Sequence, residues 1–273
     1  MPTLNSIRQL AALLLVWLLV SISPDLSAQT KPVRTDVGGD AARSLLWVGN
    51  SFFYYNNSLH GHYTALAEAA DPGGRYRGVS VTISGSGLDW HDVASYLRPE
   101  GIGRYSFAPG NKIVFNKPGR QFDAVIMMDC SQCPVHPDLQ GAFHETVKKD
   151  AAIVAKYGAR PVLFMSWAYK DKPEMTEQLA EQYTLAGNAN DALVIPAGLA
   201  FARAIAKRPT LELYQPDKRH PTLAGTYLAA CTTFAALQRA SPVGIKYTAG
   251  LDAELAAFLQ AIAAETVRDY HGR

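Results

Sequence analysis

Five short runs of apolar residues recur along the chain, separated by longer stretches of mixed character. They occupy residues 43–49, 78–84, 122–129, 159–167 and 191–197, and are rich in aliphatic side chains; in all but the second, apolar and polar positions do not alternate. Strands that are buried on both faces have this pattern. The runs therefore predict five strands of a sheet that is covered on both sides.

Helical patterns lie between and after these runs, at residues 58–70, 138–158, 172–190, 221–240 and 251–270. An alternation of strands and helices favours a parallel sheet with helices packed on both faces. The sequence thus predicts an α/β fold, a three-layer α/β/α sandwich with a mainly parallel five-stranded sheet.

Residues 98–120, "RPEGIGRYSFAPGNKIVFNKPGR", interrupt this alternation. The segment is rich in Gly, Pro and cations, and only residues 112–116 have a β-like pattern. It is too short for a domain, so we interpret it as a loop excursion over the edge of the sheet or over its site.

The N-terminus has the pattern of a secretory signal. Arg8 precedes an apolar stretch from Leu10 to Val20, and the small-residue segment "LSAQT" predicts cleavage after Ala28. We expect a signal peptide over 1–28, a flexible segment over 29–42, and one domain over 43–273 that is periplasmic or secreted. The alternative is an uncleaved anchor, although the apolar stretch is short for a membrane span. No membrane span is expected after cleavage.

Charge narrows the range of partners. The chain carries 26 Lys and Arg against 24 Asp and Glu, a formal net charge of +2, with no long run of either sign. This balance gives no basis for a nucleic-acid partner. The oligomeric state is left open.

The chain contains three cysteines, and their spacing is the evidence on whether any of them form a disulfide. Cys130 and Cys133 form a C-x-x-C, which in a redox enzyme would open a helix, whereas Pro134 and Pro137 here prolong a loop. A local disulfide, two thiols without a role and thiol redox work all remain open. Cys231 lies in an apolar helical pattern and is interpreted as core filler.

Three polar segments follow predicted strands: "GNSF" after the first, "SGSGLDWH" after the second and "DCSQCP" after the third. Ligands bind outside the carboxyl ends of the strands in open α/β sheets. We therefore expect one site built from these three segments.

Ser51, in the first of these segments, is a candidate nucleophile. A serine needs a base to take its proton and a third group to orient that base. Asp217 and His220 are three residues apart, before a helix that Pro221 can open at its first position. The spacing lets Asp217 accept from Nδ1 of His220, which leaves Nε2 to face Ser51.

The segments "VGNSFFYYNNSL" and "DKRHPTLAGTYLAA" resemble the first and last blocks of the SGNH (GDSL-like) hydrolases. Within that superfamily the sequence is most similar to exported bacterial proteins of the DUF4886 type, which share "GNSF", a second block like "GSGLDWH" and the "HP-x-LAG-x-YLAA" helix. The resemblance runs from Arg43 to Leu237. It implies a flavodoxin-like fold and a Ser51, His220, Asp217 triad.

The resemblance also implies an oxyanion hole formed by the backbone N–H groups of Ser51 and Gly85. The third block departs from the family pattern, because Cys130 stands where relatives have an Asn or Gln. A thiol is a poor donor, so Ser131 or Gln132 is expected to substitute, or the hole has only two donors.

Several residues near the strand ends are candidates for substrate binding: Asn50, Phe52, Trp90, His91 and Trp167. Aromatic rings at the rim of a site can stack on sugar rings, while packing in the core is the alternative for any one of them. They are consistent with a carbohydrate ester as substrate.

No metal or other cofactor is expected. His60 and His62 are two apart on a helix and do not share a face, and no carboxylate accompanies them or His91 at ligand spacing. The sequence predicts an exported serine ester hydrolase that acts on a carbohydrate or small ester. The alternative is a catalytically impaired glycan-binding protein on the same scaffold.

Overall fold

The computed structural model describes residues 30–101 and 105–272. The predicted signal peptide lies outside these residues. From Lys31 onward the chain forms one compact unit. No helix within the described ranges is both long and apolar enough to cross a bilayer.

The described chain forms one five-stranded sheet and one separate hairpin. In chain order the strands are β1 (Ser44–Gly49), β2 (Arg77–Thr82), β3 (Tyr105–Ala108), β4 (Lys112–Phe115), β5 (Ala124–Met127), β6 (Arg160–Phe164) and β7 (Leu193–Ile195). The large sheet has the order β2-β1-β5-β6-β7, and every neighbouring pair in it is parallel. The predicted five-stranded parallel sheet is confirmed.

Within the described ranges, eight α-helices accompany these strands: α1 (Ser51–Tyr54), α2 (Leu59–Ala70), α3 (Val93–Leu97), α4 (Gln140–Lys156), α5 (Met175–Ala189), α6 (Ala197–Lys207), α7 (Leu223–Gln238) and α8 (Ala253–His271). The connection through α2 leads to one side of β1, and those through α4 and α5 lead away in the other direction. Right-handed crossovers in opposite directions place their helices on opposite faces of the sheet. The result is the predicted α/β/α sandwich.

The centre of the sheet explains the uninterrupted apolar runs. In β1 and β5, the side chains of Leu46, Trp47, Val125 and Ile126 have no solvent exposure, although successive residues point to opposite faces. Both faces of these strands are therefore in the core. Burial of an aliphatic side chain contributes about 2 kcal/mol, so a polar residue in these runs would be strongly destabilising.

The strand order places a crevice at the end of β1. The chain moves from β1 to β2 on one side and then returns to β5 on the other. Ligand sites in open α/β sheets form where the order reverses in this way, outside the carboxyl ends of the two strands. The segment that begins at Asn50 leaves β1 at this point.

The excursion over 98–120 contains more structure than the sequence predicted. β4 matches the β-like run at 112–116, but it pairs antiparallel with β3, which was not predicted. None of the side chains of this hairpin belongs to the core or packs against it. A strand without core contacts lacks the buried apolar pattern by which the other strands were recognised.

Three further differences concern local structure. Residues 30–42, predicted as flexible, make specific contacts, since Val33 N donates to Asn188 Oδ1 over 2.7 Å and Ala42 is fully buried. The helix α6 was not predicted, because its small apolar residues continue the preceding strand pattern. Pro221 does not open α7: the N-cap is Thr222, whose hydroxyl accepts from Gly225 N.

Candidate active site

Ser51 is the first residue of α1, directly after the strand β1. The side chain of Asn50 caps this short helix by accepting from the N–H of Phe52. Gly49 makes the sharp turn feasible, since a Cβ there would lie 2.9 Å from the ring of Phe53. The turn presents the Ser51 hydroxyl at the carboxyl end of β1.

His220 and Asp217 lie on a closed loop between α6 and α7. The strand-like bridge of Tyr214 with Pro221 joins the base of the loop, and Gln215 N donates to His220 O over 2.7 Å. These backbone bonds fix the loop before any side chain is considered.

Two contacts from the segment after β6 hold the same loop in place. The indole Nε1–H of Trp167 donates to the carbonyl oxygen of Arg219 over 2.9 Å, and Lys170 N donates to Lys218 O over 2.9 Å. The loop is thereby tied to the end of a central strand.

The structure brings the three predicted side chains together. His220 Nε2 lies 2.8 Å from Ser51 Oγ, and His220 Nδ1 lies 2.5 Å from Asp217 Oδ2. A carboxylate can only accept, so Nδ1 carries the proton and Nε2 is left to accept from the serine hydroxyl. The hydroxyl, imidazole and carboxylate form one continuous line of hydrogen bonds.

The charge on Asp217 fits this arrangement. Burial alone would raise the pKa of its carboxyl, but hydrogen bonds from the imidazole of His220 and the backbone N–H groups of Arg219 and His220 lower that pKa to about 2. Asp217 is therefore an anion at neutral pH.

Aromatic rings fix the imidazole from two sides. The ring of Tyr55 stacks on His220 with centroids 4.2 Å apart and an interplanar angle of 9°, and the ring of Phe52 meets it edge-on at 5.5 Å. Phe52 in turn stacks on Trp167, which stacks on Phe201. Tyr55 is one of the aromatic residues near the strand ends that could stack on a sugar, but its contact with His220 was not predicted.

No family model matches the sequence, and no curated protein matches it either. Solved structures do match. A DUF4886 family protein from Bacteroides uniformis is 18% identical, with a TM-score of 0.53, over 81% of this chain and 93% of its own. A putative SGNH hydrolase from Slackia heliotrinireducens is 21% identical, with a TM-score of 0.52, over 72% of this chain and 99% of its own.

A third match, a putative GDSL-like lipase from Parabacteroides merdae, is 11% identical with a TM-score of 0.54 and covers 74% of this chain and 99% of its own. The fold is that of the SGNH hydrolases. At these identities the likeness concerns the fold, and the roles of single residues depend on the geometry of this chain.

The two backbone donors predicted for the oxyanion hole are not used elsewhere in the described part of the chain. Within the described residues, the N–H groups of Ser51 and Gly85 have no hydrogen-bond acceptor. Gly85 has a φ of +71°, a conformation that favours glycine. It lies at the tip of the turn after β2, on the exposed surface.

The third block supplies fewer side-chain donors for the oxyanion hole than the sequence predicted. Cys130 and Cys133 form a disulfide, so Cys130 has no thiol proton to donate, and its N–H already donates to Asp129 Oδ1. The hydroxyl of Ser131 is paired with that of Tyr169 at 2.6 Å. Gln132 is exposed, and its side chain has no partner within the described residues.

Two of the predicted substrate-binding residues instead join the three loops of the SGNH site. Asn50 is buried and donates from Nδ2 to the carbonyl oxygens of Ser86 and Asp129. His91 is buried beneath the second loop, where Nε2 donates to Gly49 O over 3.1 Å. Their hydrogen-bonding groups are consumed within the protein, so neither is placed to contact substrate.

Asp129 was not singled out from the sequence, yet it also links these loops. Its carboxylate accepts from Leu88 N over 2.9 Å and from Cys130 N over 2.6 Å. A buried Asp after a strand gives no signal that distinguishes it from a turn residue. The three loops thus share one buried polar network.

Phe52 and Trp167 are buried as well, 5% and 0% exposed, because both belong to the ring stack behind His220. This burial favours core packing, the alternative for any one aromatic residue, over the predicted contact with substrate. Trp90 alone among the five predicted residues presents a large surface, with 62% of it exposed.

The histidines considered as metal ligands have other partners in the described structure. His60 pairs with Ser58, and His62 pairs with Tyr247. The one close group of ligand-type atoms within residues 30–101 and 105–272 is Asp129 with the two cysteines, and its sulfurs are joined in the disulfide. A cystine does not supply the thiolates that a metal would need.

Proposed function

We propose that the protein is an exported serine ester hydrolase of SGNH type. The observation that carries this proposal is the 2.8 Å contact of His220 Nε2 with Ser51 Oγ, continued by the hydrogen bond of His220 to Asp217. A serine, a base and an orienting carboxylate in this order are the requirements of nucleophilic acyl transfer.

In the proposed reaction, Ser51 Oγ attacks the ester carbonyl carbon while His220 Nε2 takes the hydroxyl proton. The oxyanion accepts from the N–H groups of Ser51 and Gly85. His220 then protonates the leaving alcohol, and the acyl group remains on Ser51. A water molecule, deprotonated by His220, releases the acid and restores the hydroxyl.

The disulfide between Cys130 and Cys133 affects the expected rate of ester hydrolysis. Loss of one oxyanion donor costs about 10²–10³ in kcat, and Cys130 supplies no side-chain donor. Unless the exposed Gln132 replaces it, the protein is a slow hydrolase. This feature also favours the second candidate function, a glycan-binding protein that has lost catalysis.

Two more specific parts of the proposal, export and a carbohydrate ester as substrate, are supported by separate observations. Export depends on the signal pattern of residues 1–28. A carbohydrate ester as substrate depends on Trp90, whose exposed ring follows Gly85 in the second loop and is free to stack on a sugar.

The experiment uses the chain from Gln29, the expected mature form, with p-nitrophenyl acetate and a fluorophosphonate probe. We expect the probe to label the wild-type protein and not Ser51→Ala, with a loss of at least about 10⁴ in kcat. Ser241→Ala, which changes an exposed serine distant in sequence, is the matched control and keeps both properties.

Equal labelling of wild type and Ser51→Ala would exclude Ser51 as the nucleophile. A folded wild-type protein that neither reacts with the probe nor cleaves the ester would overturn the hydrolase proposal in favour of the glycan-binding alternative.

A further inference from the structure

The β3–β4 hairpin exposes more large apolar side chains than any other described element. Phe107 is 73% exposed and Phe115 is 65% exposed, and Tyr105, Ile113 and Val114 are each nearly half exposed. Single exposed apolar residues are ordinary on protein surfaces, whereas a contiguous group marks an interaction site.

The register of the hairpin shows how these side chains are distributed. Tyr105 is opposite Phe115 and Phe107 is opposite Ile113, so these four residues share one face. Val114 is opposite Ser106 on the other face. The rings of Tyr105 and Phe107 meet edge-to-face at 5.8 Å. The face with Tyr105, Phe107, Ile113 and Phe115 is thus apolar, whereas the other face is mixed, because Lys112 is opposite Ala108 on it. Neither face packs on the core.

The charges of the same segment have one sign. Residues 105–122 contain Lys112, Lys117 and Arg120 and no Asp or Glu. Arg120 pairs with Asp123, while Lys112 and Lys117 have no carboxylate partner within the described part of the chain. The hairpin therefore offers apolar side chains together with uncompensated positive charge.

We propose that this hairpin docks the protein on the surface of an anionic lipid bilayer. Apolar side chains that enter the boundary between headgroups and acyl chains, flanked by cations that meet anionic headgroups, are the features of interfacial binding. Four large apolar side chains on one face can enter this boundary together, and Lys112 and Lys117 of the same segment supply the cations.

Two other occupants fit the hairpin less well. A second copy of the chain, paired through the same surface, would bring like charges together at Lys112 and Lys117. An acidic polysaccharide would satisfy the cations and stack on Phe107 or Phe115, but the branched aliphatic side chains of Ile113 and Val114 offer no flat face to a sugar.

The test measures co-sedimentation with lipid vesicles of the chain from Gln29, which leaves out the apolar N-terminal stretch. All described core residues lie at Val37 or beyond. Vesicles of phosphatidylcholine are compared with an equal mixture of phosphatidylcholine and phosphatidylglycerol. We expect about tenfold stronger partition into the anionic vesicles.

Two double variants separate the contribution of the apolar side chains to vesicle binding from that of the cations. Phe107→Ser with Phe115→Ser is expected to weaken partition at least about tenfold. Lys112→Gln with Lys117→Gln is expected to remove the preference for anionic vesicles. The matched control is Leu185→Ser with Val243→Ser, two exposed apolar residues elsewhere, which leaves partition unchanged.

Equal partition of the wild type and the double Phe variant would overturn the proposal. So would retention on polygalacturonate without vesicle binding, which would assign the hairpin to acidic polysaccharide, or a dimer that the Phe substitutions dissociate. Equal melting temperatures show that the variants remain folded. The outcome does not depend on the hydrolase proposal, because hydrolysis is not the readout.

Discussion

Two aspartates in different parts of the molecule show what sets the charge of a carboxyl group. Asp217 in the loop before α7 has 44% of its side chain exposed and receives three hydrogen bonds, which bring its pKa to about 2. Asp150 on α4 has no exposure, and its oxygens make no hydrogen bond within the described residues. Burial raises its pKa to about 6, although Lys149 Nζ lies 3.7 Å away.

Burial raises the pKa of a carboxyl group, and hydrogen-bond donors aimed at the carboxylate lower it; among the described residues, Asp217 has the donors and Asp150 has the burial without them. Asp217 is ionised at neutral pH, and its charge is directed at the imidazole of His220. Within the described chain, Asp150 is buried without a hydrogen bond, with Lys149 as its ion-pair partner, and disfavours the folded state once it ionises. One aspartate serves the proposed reaction, and the other costs stability.

Among variants at the two aspartates and their neighbours, Asp217→Asn should have the strongest effect, since it keeps the shape of the side chain and removes the anion. We expect kcat/KM for p-nitrophenyl acetate to fall by about 10³–10⁴, because an amide does not hold Nδ1–H of His220 or stabilise the imidazolium. Asp171→Asn, which breaks the exposed pair with Lys218 beside the same loop, is the control and changes the rate less than twofold. A similar small change in Asp217→Asn would contradict the assignment.

The second prediction concerns Asp150→Asn. The folded pKa of about 6 lies above the ordinary value of 3.8, so in the wild type this group makes the free energy of unfolding fall as pH rises from about 4 to about 6. In Asp150→Asn the free energy of unfolding no longer falls over this pH range for this reason. We expect a gain of at most about 3 kcal/mol at pH 8 and none at pH 3, measured by urea denaturation. Equal gains at both pH values would show that ionisation is not the cause.

The third prediction tests whether the carboxylate alone orients His220. In Tyr55→Leu the imidazole loses the stacked ring on one face, and the imidazolium loses its contact with the π system. We expect kcat to fall about tenfold with KM within twofold. Tyr55→Phe keeps the ring and retains the rate. An unchanged kcat in the Leu variant would leave Asp217 as the only orienting group.

The smallest effect is expected from Lys149→Gln. Because Lys149 favours the ionised form of Asp150, its removal lowers the free energy of unfolding by less than about 1 kcal/mol at pH 8, where Asp150 is charged. The variant should match the wild type at pH 3, where it is neutral. A loss at both pH values would mean that Lys149 acts by packing.

The sequence predicted those parts of the protein whose signals are local. The buried strands are continuous apolar runs, and the D-x-x-H spacing joins Asp217 to His220 within one loop. The contact of Ser51 with His220, which are 169 residues apart, was expected because a serine nucleophile needs a base and because both segments resemble blocks of one hydrolase family.

The predictions that differed depend on tertiary packing. Whether Trp167 faces a ligand or the core is decided by Phe201 on the unpredicted helix α6, and whether Asn50 binds substrate is decided by carbonyl groups on two other loops. The disulfide was one of several open readings, because a C-x-x-C spacing alone does not fix the oxidation state.

The column of three stacked rings, Phe52 on Trp167 on Phe201, extends from the helix that carries Ser51 to α6. Trp167 also donates to the loop of His220. Substitutions that repack α6 for thermostability therefore also change the contacts that position His220. The turnover of every such variant should be measured together with its melting temperature.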